Sequence, residues 1–173
     1  DAPYHLVLVP REVGKTTIIT QGRTIQLLCA NPNTSILIAN EKEDNAKLML
    51  GEIKRQFESN ELLRALFPEL IPPNLNDTVW SATKISVNRE GRKEPSVFVT
   101  GESGTVTGMH PDHIAIDDML SKEAMENARV GDASVMQRVN RWINTLPELL
   151  SSNARPFPTI GFTGTRWWTG DSY

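Results

Sequence analysis

The sequence predicts an α/β domain of three layers, in which helices cover both faces of a central, mostly parallel β-sheet. Apolar runs of strand length alternate with segments whose apolar residues recur at helical spacing, which is typical of βαβ units. The chain of 173 residues has the length of one ordinary domain and contains no internal repeat. We therefore expect a single unit, spanning residues 1–173, with one sheet.

The first half of the chain begins with the predicted strand "HLVLVP" (5–10), which has the composition of a buried strand. A helix from about Lys15 to Ala30 follows. Gly22 weakens it, because glycine costs a helix about 1 kcal/mol relative to alanine. The segment "SILIAN" (35–40) is the second predicted strand.

The next predicted helix has Asn40 as its N-cap, and Glu43 completes a pattern like a capping box. Its apolar stripe has helical spacing and is expected in the core. The stripe consists of Ala46, Met49, Leu50, Ile53 and Phe57. A short helix from about Glu61 to Phe67 ends at Pro68, and residues 71–77 are predicted to form a loop.

A β-hairpin is predicted from two strand-like segments, "TKISVN" (83–88) and "SVFVTGE" (96–102). They flank the charged stretch "REGRKE" (89–94). Its basic residues are expected to form a solvated tip, with contact to DNA as the less favoured alternative. They are Arg89, Arg92 and Lys93.

The second half contains the buried strand "HIAID" (113–117) and the last strand "FPTIGFTGT" (157–165). Between them lies an amphipathic helix that we expect to stop before Pro147. Its apolar positions are Val135, Val139, Trp142 and Leu146. Five of the strand-like segments are expected to form the sheet.

The segment between the first strand and the first helix has the features of a phosphate-binding loop, because Gly14-Lys15-Thr16 opens the helix directly after a strand. Backbone N–H groups in such a loop point at phosphate oxygens. Gly14 allows close approach, Lys15 can neutralise the β/γ charge and the Thr16 hydroxyl can bind Mg²⁺. The predicted nucleotide-binding residues are Pro10, Arg11, Glu12, Val13, Gly14, Lys15, Thr16 and Thr17.

This loop departs from the strict P-loop pattern, because Val9 stands where the opening glycine belongs. Losing that glycine changes the shape of the loop without removing a phosphate ligand. The alternative interpretation is a helix N-terminus with a turn glycine and an exposed lysine.

An acidic pair, Asp117 and Asp118, ends the apolar strand "HIAID". This is the composition of a Walker B element, in which Asp117 would hold Mg²⁺ and Asp118 would orient the attacking water as general base. Ligands of open α/β sheets bind at the carboxyl ends of the strands, beside the predicted phosphate loop. The alternative is an Asp-Asp turn that caps the following helix.

The last strand ends in two hydroxyl residues, Thr163 and Thr165, on either side of Gly164. In P-loop ATPases with an acidic residue directly after Walker B, one strand lies between the Walker A and Walker B strands, and its polar tip faces the γ-phosphate. We predict that the last strand takes this place in a P-loop NTPase of the ASCE/RecA-like class. A plain turn, with threonine favoured by its strand propensity, is the alternative.

Three motifs in this order resemble the ATPase domain of the large terminase subunit of tailed bacteriophages, over nearly the whole chain. They are "PREVGKTT", "VTGMHPDHIAIDD" and a "GTRW" ending followed by an acidic residue. Members of that family carry an arginine inside a phosphate loop without an opening glycine. By resemblance, Arg11 would lie close to the γ-phosphate and act in catalysis with Lys15 and Asp118. Thr163–Thr165 would couple hydrolysis to DNA movement.

The resemblance implies Mg²⁺-dependent ATP hydrolysis that drives double-stranded DNA into a viral procapsid. It also implies a homo-oligomeric ring on the portal in the host cytoplasm, a small terminase subunit as partner, and no membrane. Because the chain begins almost inside a strand, we expect a piece of a larger polypeptide. The resemblance implies that it is the N-terminal part of a longer protein and that the family's nuclease domain is absent here. The adenine-contacting motif of the family lies upstream of the loop and is expected to be incomplete.

One departure is that the stretch "GTVTGMHPD" (104–112), just ahead of the predicted Walker B strand, contains no arginine, whereas family members commonly carry there an arginine that can act as a finger on a neighbouring subunit's nucleotide. Arg129, Arg138, Arg141 or Arg155 could substitute for it.

Alternative functions are a helicase-like or other P-loop NTPase, a small-molecule kinase, and a binding module without catalysis. Trp167 and Trp168 could stack on nucleic acid, but packing of the chain end is the favoured interpretation.

Composition limits the remaining possibilities. No run of 18 apolar residues and no secretory signal occurs. The single cysteine, Cys29, excludes an internal disulfide and indicates a reducing compartment. With a net charge of −3, binding to nucleic acid requires a local basic patch. His110 and His113 do not make a zinc site with one cysteine, and His113 is expected to be a hydrogen-bonded residue of a buried strand.

Overall fold

The computed structural model describes residues 3–102, 104, 106, 108–152, 154 and 158–165. The strands are β1 Tyr4–Leu8, β2 Ile36–Asn40, β3 Lys84–Ile85, β4 Val97–Gly101, β5 His113–Asp117 and β6 Thr159–Gly164. The α-helices are α1 Arg23–Ala30, α2 Glu43–Ser59, α3 Glu61–Leu66, α4 Lys122–Arg129 and α5 Ser134–Leu149. A π-helical segment, Thr16–Gly22, precedes α1, and short 3₁₀ turns occupy Pro68–Leu70 and Leu75–Asp77.

The six strands form one sheet in the order β1-β6-β5-β2-β4-β3. All neighbours are parallel except β3 and β4, which pair antiparallel. The predicted α/β class with a mostly parallel sheet is therefore confirmed. The last strand, β6, lies between β1 and β5, which is the place that the sequence predicted for it.

Helices cover both faces of the sheet because β2 is apolar on both sides. Ile36 and Ile38 face the core beneath α1 and α2, whereas Leu37 and Ala39 face the core beneath α4 and α5. The predicted apolar stripe of α2 is buried throughout. On the other face, Val139 and Leu146 of α5 are buried. The three predicted layers are thus present.

The edge strand β1 differs from its prediction. Its composition indicated a buried strand, but Tyr4 and Leu6 are 53% and 54% exposed. The reason is topological, since among the residues that the structure describes β1 pairs with β6 alone and lies at the end of the sheet. Hydropathy along one strand does not distinguish an edge position from a central one. The predicted count of five strands also becomes six, because the two-residue β3 joins the sheet.

Two helix boundaries also differ from their predictions. Asn40 is not the N-cap of α2, because it is the last residue of β2 and the helix begins at Glu43 after Lys42. Pro147 does not stop α5, which continues to Leu149. Proline removes one hydrogen bond of the ladder, and α5 ends two residues after it.

The predicted hairpin is present, but its basic segment is not a solvated tip. Arg92 Nη1 contacts the Asp112 carboxylate and donates to the Asn33 carbonyl at 2.8 Å. Arg89 Nη1 donates to the Thr34 carbonyl at 3.1 Å. Burial, and secondarily the Arg92 charge, lower the pKa of Arg89 to about 10. These guanidinium groups tie the hairpin to the amino-terminal edge of the sheet.

Candidate functional site

The loop after β1 turns sharply into the π-helical segment. Glu12 has a φ of 66° and Gly14 a φ of 74°, and the Ile18 N–H donates to the Gly14 carbonyl at 2.9 Å. A methyl group on Gly14 would meet nothing closer than 3.7 Å. The left-handed backbone, rather than lack of space, is therefore what favours glycine there.

Lys15 joins the three polar segments that the sequence singled out. It is 8% exposed, and its Nζ donates to Asp118 Oδ1 and to Thr165 Oγ1, both at 2.7 Å. The partners lie 103 and 150 positions away along the chain. The ends of β1, β5 and β6 bring them together because neighbouring parallel strands end at one edge of the sheet.

Asp117 is fully buried, and neither of its carboxylate oxygens has a hydrogen-bond partner. Burial raises its pKa, and the neighbouring Asp118 adds to this shift. Hydrogen bonding to the Thr16 and Thr20 hydroxyls and the charge of Lys15 lower the pKa. Neither carboxylate oxygen, however, has a partner at full hydrogen-bond geometry. A buried carboxylate without partners, next to a threonine hydroxyl, is a donor set that fits a hard cation such as Mg²⁺.

Asp118 has an unusual backbone, with a φ of 43°. Its N–H donates to the Thr163 carbonyl at 2.9 Å. Its side chain is 40% exposed, and its Oδ1 accepts from Lys15 Nζ. Asp118 can therefore contact Lys15 and solvent water at the same time.

The end of β6 is bonded to the loop as well as to β5. Thr163 pairs in register with Val7 of β1 and Asp117 of β5. The Val9 N–H donates to the Gly164 carbonyl at 3.2 Å, and Thr165 Oγ1 donates to the Val9 carbonyl at 3.4 Å. The predicted coupling residues thus contact both of the other segments.

Sequence reasoning missed Asn40, which it placed at a helix cap. The side chain is buried at the carboxyl end of β2, and its Nδ2 donates to the Asp117 carbonyl at 2.7 Å. Its Oδ1 accepts from the Lys42 N–H at 3.0 Å and from Asn45 Nδ2 at 3.2 Å. A polar residue ending an apolar strand at this edge was the available signal.

The arginines that could substitute for a trans-acting finger differ in their contacts. Arg138 pairs with Glu102 of the same chain at 2.6 Å, and Arg141 Nε donates to the Gln137 carbonyl of its own helix at 3.4 Å. Arg129 lies at the exposed end of α4. Arg155, the tryptophans 167 and 168, and the ending from residue 166 lie outside the described residues.

Two other polar or reactive residues have local roles. His113 Nδ1 shares a hydrogen bond with Thr159 Oγ1, as predicted for a satisfied core residue, and burial lowers its pKa. Burial raises the pKa of the half-buried Cys29. Within the described parts of the chain, no three or more His, Cys, Asp or Glu side chains group as a metal site. No helix in those parts has both the length and the apolar character needed to cross a bilayer.

A cavity of about 750 Å³ lies beneath the π-helical segment and α1, against the faces of β1, β6 and β5. His5, Val7, Leu27 and Ile114 are among its mostly apolar lining. It does not include Gly14, and the paired side chains of Lys15 and Asp118 lie outside it. The candidate site is therefore the polar cluster of Lys15, Asp118 and Thr165 at the sheet edge, and not this cavity.

Comparison with known proteins supports the fold and leaves the family open. No protein-family model matches the sequence, and no curated protein matches it. Among solved structures, the chain is similar to the N-terminal domain of the DNA packaging ATPase from bacteriophage phi29, with a TM-score of 0.52 and 10% sequence identity. The similarity covers 94% of this chain and 73% of that chain. At this identity, the two proteins share an α/β fold.

Proposed function

We propose that this chain is a P-loop ATPase whose Mg²⁺-dependent hydrolysis of ATP powers the movement of double-stranded DNA into a viral procapsid. The observation that carries the proposal is the convergence of Lys15, Asp118 and Thr165 at one edge of the sheet. The strand order places β6 between the strands that carry the lysine loop and the acidic pair. The terminase-like motifs and the fold shared with a packaging ATPase domain support the packaging role.

Lys15 is proposed to neutralise the β- and γ-phosphates, together with Arg11. In the structure its ammonium group is bonded to Asp118 and Thr165. On binding ATP, Lys15 would exchange the Asp118 carboxylate for a phosphate oxygen, since both are anionic acceptors of the same donor. The exchange would free Asp118 to accept a proton from the attacking water.

Asp117 and Thr16 are proposed to hold Mg²⁺, which would neutralise charge that develops on the transferred phosphoryl group. The buried Asp117 carboxylate has no competing hydrogen bond to break before it binds a cation. The remaining loop residues would present their N–H groups to phosphate oxygens. They are Glu12, Val13, Gly14 and Thr17. Pro10 is also proposed to belong to the nucleotide-binding loop, but proline has no N–H group to donate.

The working assembly is proposed to be a homo-oligomeric ring on the portal in the host cytoplasm, with a small terminase subunit as a further partner. Thr163–Thr165 would transmit the state of hydrolysis, because they contact the lysine, the loop and the acidic pair. The chain would form the N-terminal motor part of a longer protein. An arginine supplied in trans is worth about 10³ to 10⁵ in turnover in related enzymes, so the isolated chain is expected to be slow.

The test is phosphate release from ATP and Mg²⁺ over a series of protein concentrations, comparing the parent with Lys15→Ala and Asp118→Asn. We expect weak release that rises per molecule with concentration and falls by about 10²-fold or more in both variants. Lys47→Ala is the matched control, because Lys47 lies on α2 and its ion pairs in the described part of the chain are with Glu43 and Asp44 of the same helix.

Release that survives both substitutions would overturn the proposed site. Transfer of phosphate to an added acceptor, instead of to water, would indicate a kinase. Nucleotide binding without any release over the whole concentration series would leave a binding module as the better description.

A further inference from the structure

We propose that Asn40 is a positioning residue for the general base, because it holds the peptide group that sets the backbone of Asp118. This inference rests on the proposed ATPase function and concerns a residue outside the loop, the acidic pair and the coupling strand. Asn40 ends β2, the strand on the opposite side of β5 from β6.

The backbone ladder between β2 and β5 ends one residue before the acidic pair. Its last register partners are Ala39 and Ile116, although β2 continues beside β4 to the pair Asn40 and Gly101. Beyond Ala39, the Asn40 side chain replaces the main chain as hydrogen-bond donor to β5, with Nδ2 at 2.7 Å from the Asp117 carbonyl. The side chain therefore bridges the point at which the two strands separate.

The Asp117–Asp118 peptide group is held from both sides. Its carbonyl accepts from Asn40 on β2, and its N–H donates to the Thr163 carbonyl on β6 at 2.9 Å. Rotation of this group would break both bonds. The angle φ of Asp118 describes rotation about the bond between this peptide group and the Asp118 Cα. Because the two bonds hold the peptide plane, they limit the directions in which the Asp118 side chain can point.

Asp118 needs such support, since its φ of 43° is uncommon for a residue with a side chain. A non-glycine residue keeps a left-handed conformation only when its surroundings favour it strongly. In this conformation the carboxylate reaches Lys15 Nζ at 2.7 Å. A relaxed backbone would turn the carboxylate away from the lysine and from a water positioned beside it.

The orientation of the Asn40 amide is itself determined by its neighbours. Oδ1 faces two donors, the Lys42 N–H and Asn45 Nδ2, whereas Nδ2 faces a carbonyl. An exchanged amide would place like groups together at all three contacts. Lys42, directly before α2, and Asn45, in its first turn, therefore help to aim the amide at the Asp117 carbonyl.

The test combines hydrogen exchange with turnover in Asn40→Leu, which keeps the size of the side chain and removes its hydrogen bonds. The matched control is Asn60→Leu, because Asn60 also both donates and accepts, bonding Gln56 and capping α3 at Leu63, away from the site. Residue-resolved amide exchange by NMR reports on the Asp118 N–H independently of any activity. Phosphate release reports on the proposed chemistry.

We expect Asn40→Leu to speed exchange of the Asp118 amide at least about tenfold relative to the control. It should lower turnover about 10- to 100-fold with nearly unchanged nucleotide affinity, which is the size of effect seen for residues that orient an active group. In an Asp118→Asn background the same substitution should have little further effect on turnover, because the group that it orients is already lost.

Unchanged exchange at Asp118 would overturn the inference, whatever happens to activity. Faster exchange with a turnover loss no greater than that of the Asn60→Leu control would overturn the positioning role. If the parent releases no more phosphate than Lys15→Ala, the proposed ATPase function fails. The exchange result then decides separately whether Asn40 holds the Asp118 backbone.

Discussion

Two aspartates at opposite ends of β5 are almost equally buried but have contrasting surroundings. Asp112, before the strand, is 4% exposed, and its carboxylate accepts from the Ser35 N–H at 2.7 Å and contacts Arg92. Asp117, at the end of the strand, is 0% exposed, and neither oxygen has a hydrogen-bond partner.

The contrast separates a carboxylate that is bonded to other parts of the fold from one without hydrogen-bond partners. A buried charge is tolerated when it is paired and hydrogen-bonded, and Asp112 meets both conditions. Asp117 meets neither, and burial raises its pKa. Unsatisfied buried groups are rare in native proteins, and this is the reason that Asp117 is proposed as a ligand of Mg²⁺. Burial alone would not have distinguished the two residues.

The largest expected effect is on activity. Asp117→Asn should reduce phosphate release about 100-fold or more, because charge stabilisation by a bound metal ion is worth several kcal/mol. Asp112→Asn, assayed well below its melting temperature, should stay within about threefold of the parent, a margin that small changes in distant structure allow. Steady-state release at saturating ATP and Mg²⁺ measures both. Equal losses in the two variants would contradict the functional distinction.

A smaller effect is expected on stability, and here Asp112→Asn is the variant with the loss. Asp112→Asn removes the charge that pairs with Arg92 and should lower the free energy of unfolding by about 1.5–3 kcal/mol, the usual worth of a hydrogen bond to a charged group. Urea unfolding measures the change. Combining it with Arg92→Met should give a loss smaller than the sum of the two single losses, because the two side chains contact each other. Fully additive losses would mean that the pair contributes nothing as a pair.

The smallest effect is a gain in stability that depends on pH. Asp117→Asn should raise the free energy of unfolding at neutral pH by about 0.5–2 kcal/mol, the range of single stabilising substitutions. Burial raises the folded-state pKa of Asp117 above its ordinary value of 3.8, so the charged carboxylate costs stability at pH values above the raised pKa. The advantage of the variant should therefore be largest near pH 7 and shrink as the pH falls through the raised pKa.

Unfolding curves of the parent and Asp117→Asn between pH 7 and about pH 4 test this prediction, because other titrating groups are common to both proteins. His113 is one of these groups, and its lowered pKa makes folding less favourable at acidic pH in both chains. A difference between the two proteins that stays constant with pH would show that Asp117 does not carry the predicted cost.

Local patterns in the sequence were sufficient for most of the elements and for the location of the polar motifs. The helical stripe of α2 and the apolar runs of β2 and β5 were predicted because spacing along the chain defines which side chains share a face. Lys15 and the two acidic residues at the end of β5 were identified in the same way, from a lysine at a strand-to-helix turn and carboxylates after an apolar run. Their chemical roles remain predictions.

Only the tertiary structure decided which of these residues meet and which are satisfied. The sequence could not show that β1 is an exposed edge strand, that Arg92 reaches Asp112, or that Asn40 bonds to the end of β5 instead of capping a helix. Each of these facts depends on strand order and on contacts between residues far apart in the chain. The spacing of apolar residues along the sequence shows which side chains share a face of one helix or strand. Hydrogen-bond partners depend instead on which helices and strands lie side by side in the folded chain.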